Sequence, residues 1–319
     1  MPPTLHRARG SPRVGFLLAI AATLLWGFLA IALKLLLAEG MDAWTITWYR
    51  LAVSALILIA VQARRGRLPR LAALDGHGWS LLALAVAGLL GNYVLFALAL
   101  DYVPPATAQV VIQLAPILLL VGSLAIFGEA FSRAQWIGLV GLGGGLLLFF
   151  NERLPALVSL SGAEAAGVVM VIVSAVVWAA YALAQKQLLV TLSSVNILLL
   201  IYVGALVLLL PLATLGQIAD LDGAGLALLA FGVFNTLGAY GCFAEALAHW
   251  EASRVSAVIS LAPVVTIAAV YGILEVWPSA NVGARLDAPG LAGAALVVAG
   301  SMMAALGRDA RAVEPVDFE

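Results

Sequence analysis

The chain has 319 residues, 64% of them hydrophobic and 10% charged, with a formal net charge of −1 and a mean hydropathy of +1.09. A water-soluble globular chain carries about 25% charged residues, so this one cannot cover itself with a polar surface and takes lipid as its solvent. The near-zero charge argues against a nucleic-acid partner and a polybasic anchor. A single cysteine, Cys242, leaves no intrachain disulfide or thiolate metal cluster.

Ten predominantly apolar runs follow in order: 15–37, 43–63, 79–100, 105–127, 134–150, 165–187, 195–215, 224–248, 255–274 and 288–306. About 20 such residues cross a bilayer, and in lipid long apolar runs satisfy their backbone as helices. The expected fold is therefore all-α, with ten transmembrane helices and short connections. The first run follows Arg7, Arg9 and Arg13, as a signal peptide would, but its apolar core is too long for one. Twelve Lys/Arg residues fall on one side of the membrane, including Arg7, Arg64, Arg133, Arg254 and Arg308. Only Arg153 and Arg285 fall on the other. The positive-inside rule then places both tails, 1–14 and 308–319, in the cytoplasm.

The halves of the chain echo each other. LLWGFLAIALK (24–34) returns as VVWAAYALAQK (176–186), with Trp26 and Lys34 matching Trp178 and Lys186. GNYVLFALAL (91–100) matches GAYGCFAEAL (238–247), and VVIQLAP (110–116) matches AVISLAP (257–263), both 147 residues apart. Five spans per copy is an odd number, so the second copy enters from the opposite side. Inverted repeats of this kind are the usual build of secondary transporters, with a site near the midplane where the repeats meet.

Six of the eight tryptophans fall near predicted helix ends, where tryptophan usually sits. Trp26 and Trp178 fall mid-span and are repeat equivalents, with Tyr181 on the same helical face as Trp178. Two readings stand: packing between helices, or the aromatic wall of a cavity. In the fourth span Gln109, Gln113 and Pro116 share one face, and their equivalents in the ninth are Ser256, Ser260 and Pro263. Each proline removes a donor and leaves the carbonyl four residues back, at Ile112 and Ile259, underbonded. Polar glue between helices is one explanation of such residues, and cavity lining the other. Asn92, Tyr93, Asn235 and Tyr240 in spans three and eight are open to the same pair of readings. Arg50, about eight residues into the second span, needs a partner at that depth; Asp101 and Glu39, on the outer side, are the candidates, and the sequence does not choose between them. Lys34 and Lys186 lie near helix ends and read as snorkelling side chains, and Glu245, with His249 and Arg254 near it in sequence, reads as a local ion pair rather than a proton relay.

These residues carry a resemblance. LLWGFLAIALK, the arginine in WYRLAVSALIL (48–58) and the segment 97–149, with its GEAFSRAQWIG stretch, are similar to EamA-type members of the drug/metabolite transporter superfamily, over about 15–306 in two copies. The chain departs from that pattern where glutamate often precedes the two prolines: here Ala115 and Ala262 stand there. The resemblance implies a first repeat over 15–150 and an inverted second over 165–307, alternating access around a central cavity, and export of small metabolites. Its nearest likeness is to bacterial inner-membrane exporters of amino acids, including aromatic ones.

The expectation is thus a secondary transporter of the inner membrane, not an enzyme, that exports neutral amino acids without a cofactor or metal. Its substrate-binding candidates are Trp26, Asn92, Tyr93, Gln109, Gln113, Trp178, Tyr181, Asn235, Tyr240, Ser256 and Ser260, with Pro116 and Pro263 as gating hinges. Beyond the cargo and the lipid bilayer no partner is called for, and a monomer is compatible with the sequence. Export of other metabolites or drugs is the alternative; an integral-membrane lipid-modifying enzyme is the distant one, lacking a cluster of His, Asp or Ser at one interface.

Overall fold

The computed structural model describes residues 11–69, 71, 74–127, 132–151, 162–249 and 252–306, and among them the chain is helical with no strand. The helices are α1 (Pro12–Ala38), α2 (Ala43–Arg64), α3 (Gly76–Tyr102), α4 (Pro105–Val111), α5 (Leu114–Phe127), α6 (Arg133–Phe149), α7 (Ala163–Leu188), α8 (Ser194–Leu209), α9 (Gly223–His249), α10 (Ala252–Ile259), α11 (Ala262–Val276) and α12 (Ala288–Leu306). A short 3-10 helix, Leu215–Asp220, bridges α8 and α9. Among the described residues seven helices are long and apolar enough to cross a membrane by length and composition; α6 and α8 are shorter apolar helices.

Local chemistry explains the ends. Asp42 caps α2 by accepting from the Thr45 N–H at 2.9 Å, and Asp75 caps α3 by accepting from the Gly78 N–H at 2.7 Å, each satisfying a donor that the first turn leaves free. Ser132 and Gln135 form a capping box on α6. Gly40 takes φ +93° in the turn between α1 and α2, a conformation that glycine adopts without strain.

The fourth and ninth apolar runs are not continuous helices. The first breaks at residues 112–113, between α4 and α5, and the second at 260–261, between α10 and α11. Both breaks lie three residues or so before a proline, and Pro263 opens α11 in its first turn, where a missing N–H does no harm. The Ile112 carbonyl is not left free: it accepts from the Ala115 N–H at 2.9 Å in a tight turn.

The molecule is inside out relative to a water-soluble protein. Arg50 is 1% exposed while Val140 is 72% and Phe234 62% exposed, so the polar groups face inward and the apolar side chains outward to where lipid lies. Within, α3 packs along α7, α1 along α9, α2 along α8, and α6 along α12. The α6–α12 seam is glycine against backbone: a Cβ on Gly300 would lie 2.4 Å from the Leu142 nitrogen, and one on Gly293 2.4 Å from the Phe149 nitrogen. Small residues let membrane helices approach this closely, so that dispersion and backbone contacts hold them together. One apolar cluster, with Leu33, Leu36, Met41, Leu100 and Val103, packs the end where α1, α3 and α4 meet. A second, with Leu51, Leu89, Tyr93, Tyr181 and Tyr202, fills the space between α2, α3, α7 and α8.

Candidate functional site

Two centres of polar and aromatic side chains lie between the helices. The first is the meeting of the broken helices. Gln113 at the first break donates from Nε2 to the Ser260 carbonyl at the second, 3.0 Å away. Ser260 Oγ and Ser301 Oγ of α12 lie 3.0 Å apart. Gln113 and Ser260 are the pair that the 147-residue offset equates. Two residues 147 apart in sequence thus meet at the two breaks.

Helix α1 passes this centre and presents three consecutive carbonyls to it. Leu25 accepts from Asn235 Nδ2, Trp26 from Gln109 Nε2 at 2.7 Å, and Gly27 from Thr266 Oγ1 at 2.7 Å. One turn earlier, Thr23 Oγ1 donates to the Val258 carbonyl at 3.2 Å. Gly27 sits so close to α11 that a Cβ there would meet Val265 Cγ1 at 2.6 Å. The carboxamides of Gln109, Gln113 and Asn235 thus bind backbone carbonyls. Asn92 likewise donates to Ser174 Oγ at 2.8 Å on α7. The side chains of Ser256 and Pro116, a site and a hinge candidate, lie outside the described residues.

The second centre is aromatic and surrounds Arg50. Trp26 lies edge-on to Tyr240, with centroids 5.5 Å apart, and tilts against Phe243 at 5.7 Å. Tyr240 reaches Tyr93 at 6.4 Å, and Trp178 packs edge-on against Tyr181 at 6.4 Å. The Arg50 guanidinium lies over the Tyr93 ring, 4.9 Å from its centroid, a cation–π contact strengthened by exclusion of water. Arg50 Nε donates to Thr236 Oγ1 at 3.2 Å and to the Gly232 carbonyl at 3.4 Å. Gly232 makes room for the arginine stem, since a Cβ there would lie 3.2 Å from Arg50 Cδ.

Neither Asp101 nor Glu39 reaches Arg50; its partners are a hydroxyl, a carbonyl and a ring. Asp101 is instead an electrostatic neighbour of Lys34, whose ammonium donates to the Leu100 carbonyl. Of the two neighbours of Glu245 in sequence, His249 lies 3.3 Å from it, while the side chain of Arg254 lies outside the described residues. The structure therefore gathers Trp26, Tyr93, Trp178, Tyr181 and Tyr240 in one centre and Gln109, Gln113, Ser260 and Asn235 in the other. Sequence reasoning missed Tyr202 of α8, an electrostatic neighbour of Arg50. Its mid-span position, away from the interfacial belt, is the signal that singled out Trp26 and could have found it.

Known proteins share this architecture. The profile described as the EamA-like transporter family matches residues 13–151 and again 165–306. A protein named "uncharacterized inner membrane transporter YhbE", from Escherichia coli strain K12, is 40% identical over 295 residues, 92% of each chain. An "uncharacterized transporter" of Haemophilus influenzae is 36% identical over 296 residues, 93% of this chain and 96% of that one. A solved crystal structure superposes with a TM-score of 0.61 at 19% identity, covering 91% of this chain and 95% of that one, a likeness of fold alone. With matches over nearly its whole length and a polar core built from helices of both halves, the chain belongs to the EamA-like transporter family.

Proposed function

We propose that this protein is a secondary transporter of the bacterial inner membrane that exports neutral amino acids, aromatic ones included, from the cytoplasm by alternating access. The observation that carries the reading is the contact between the two breaks, Gln113 to Ser260. Interrupted helices meeting at the midplane are where secondary transporters place their sites, because non-helical backbone is tolerated only against protein or a wet cavity. The two halves, 15–150 and 165–307, act as inverted repeats. Support comes from the doubled family match and from the packing pattern. The pairs α3–α7 and α1–α9 exchange under the repeat, while α2–α8 and α6–α12 map onto themselves. Both tails are cytoplasmic in this reading, and the inner membrane is also where the Escherichia coli relative's name puts it.

The breaks let one half rock against the other, with Pro116 and Pro263 as hinges. The indoles and tyrosines of the aromatic centre suit an apolar or aromatic side chain, and the carboxamides of Gln109 and Gln113 become available when their carbonyl partners on α1 and α10–α11 move away. The test is uptake of a panel of labelled amino acids by liposomes holding the purified protein, with Trp26→Ala and Gln113→Ala beside wild type. At least one neutral amino acid should enter faster than in empty liposomes, and each substitution should lower that rate by about tenfold. Unchanged rates in both variants would remove the site assignment. Flux that is fast only under a pH gradient would replace facilitated export with proton coupling.

A further inference from the structure

Arg50 is a cation without a counter-ion. It is 1% exposed, eight residues into α2, it cannot lose its charge in a protein, and no carboxylate among the described residues pairs with it. Both hydrogen bonds it makes leave from Nε, so its two terminal amino groups have no acceptor among the described residues. Beside it the hydroxyls of Tyr93 and Tyr202, 7% and 1% exposed as residues, neighbour one another, yet neither has a hydrogen-bond partner within 3.5 Å. Tyr93, Tyr202 and Tyr240 are its electrostatic neighbours. Buried polar groups are almost always partnered, and a buried charge left unpaired costs more than any neutral group. A fork of N–H donors flanked by two buried hydroxyls that have only each other, Arg50 and further tyrosines as neighbours, with no anion among the described residues to receive them, is a site short of one negative charge.

We propose that Arg50, Tyr93 and Tyr202 form an anion subsite that receives the carboxylate of the cargo. The planar fork of a guanidinium matches the two oxygens of a carboxylate. One fixed positive charge matches one negative charge, and a phosphate dianion would leave a charge uncompensated where water is excluded. The carboxylate docks on α2, α3 and α8, and the remainder of the cargo extends toward Trp26, Trp178 and Tyr240. The inference rests on the transport reading only in taking the ligand to be the cargo.

The test separates the two. Thermal unfolding of the purified full-length protein in detergent is followed with 3-phenylpropionate, which keeps the carboxylate of phenylalanine and lacks its amine, with phenethylamine, which is the reverse, and with sodium chloride at equal concentration. The expected result is stabilisation by 3-phenylpropionate alone. Its apparent affinity should fall at least about 30-fold in Arg50→Gln and about tenfold in each of Tyr93→Phe and Tyr202→Phe. The phenylalanine variants keep the ring packing and decide the matter should Arg50→Gln fail to fold. Equal stabilisation by the amine or by chloride, no stabilisation by the carboxylate, or full affinity in the tyrosine variants overturns the subsite. Stabilisation by 3-phenylpropionate without any amino-acid flux in liposomes leaves the subsite standing and overturns amino-acid export instead. Flux of amino acids with unaltered affinity in the tyrosine variants does the converse.

Discussion

Arg50 and the residues around α1 show what single side chains do in this protein. A charged group at the centre and three carboxamides beside it look alike in sequence, as polar residues in apolar runs. They differ in what they meet. Gln109, Asn235 and Thr266 bind consecutive carbonyls of α1, and Arg50 faces rings and hydroxyls. No spacing rule distinguishes these cases, because the partners lie up to 239 residues away. The tryptophans were more legible: avoidance of the interface alone singled out Trp26 and Trp178, and both fall in the aromatic centre. Thr266 offers a clean residue-scale test. Its hydroxyl donates to Gly27 at 2.7 Å and Ala262 at 3.1 Å, and valine keeps its shape. Thr266→Val should destabilise by about 1 kcal/mol, the worth of an interhelical hydrogen bond in a membrane protein, read as a lower melting temperature in detergent. An unchanged melt would make the hydroxyl idle.

Among the elements, the ten apolar runs were legible because hydrophobic length is a direct requirement of lipid. The helices observed begin and end within a few residues of them, save that the seventh run stops at Leu209. What the runs concealed is the interruption of the fourth and ninth. The prolines pointed to a weakness, but a proline in a membrane helix is compatible with a kink as well as a break. Here the backbone closes into tight turns, and the Gln113 side chain joins one break to the other. The α6–α12 seam was also invisible, since glycine-rich stretches read as generic membrane sequence. It yields a sharp contrast. Gly300→Ala would push a methyl to 2.4 Å from the Leu142 nitrogen, whereas a Cβ on Gly143 meets nothing within 4 Å. Backbone cannot step aside as a flexible side chain can. Gly300→Ala should therefore destabilise by about 2 kcal/mol or more, and Gly143→Ala should change stability by less than about 0.5 kcal/mol, both measured by thermal unfolding.

For the whole molecule, the proposed inverted repeat and the charge asymmetry of the loops make one prediction together. In a Cys242→Ser background, Asp220→Cys, exposed on the 3-10 helix, should react with a membrane-impermeant maleimide added to intact cells. Asp309→Cys in the C-terminal tail should react only after permeabilisation. The reverse pattern would invert the orientation. The solvent, the helical class, the number of apolar runs, the internal echo and the family resemblance are all legible along the chain. Each of these depends on hydrophobicity or on residue identity along the chain. Which polar residues brace the helices and which lack a close partner became visible in the packed fold. It also showed that the two breaks touch and that no carboxylate among the described residues pairs with Arg50. The physical reason is that satisfaction of a buried polar group is a property of its three-dimensional neighbours. In lipid, where water cannot serve as the default partner, that neighbourhood alone separates glue from a site.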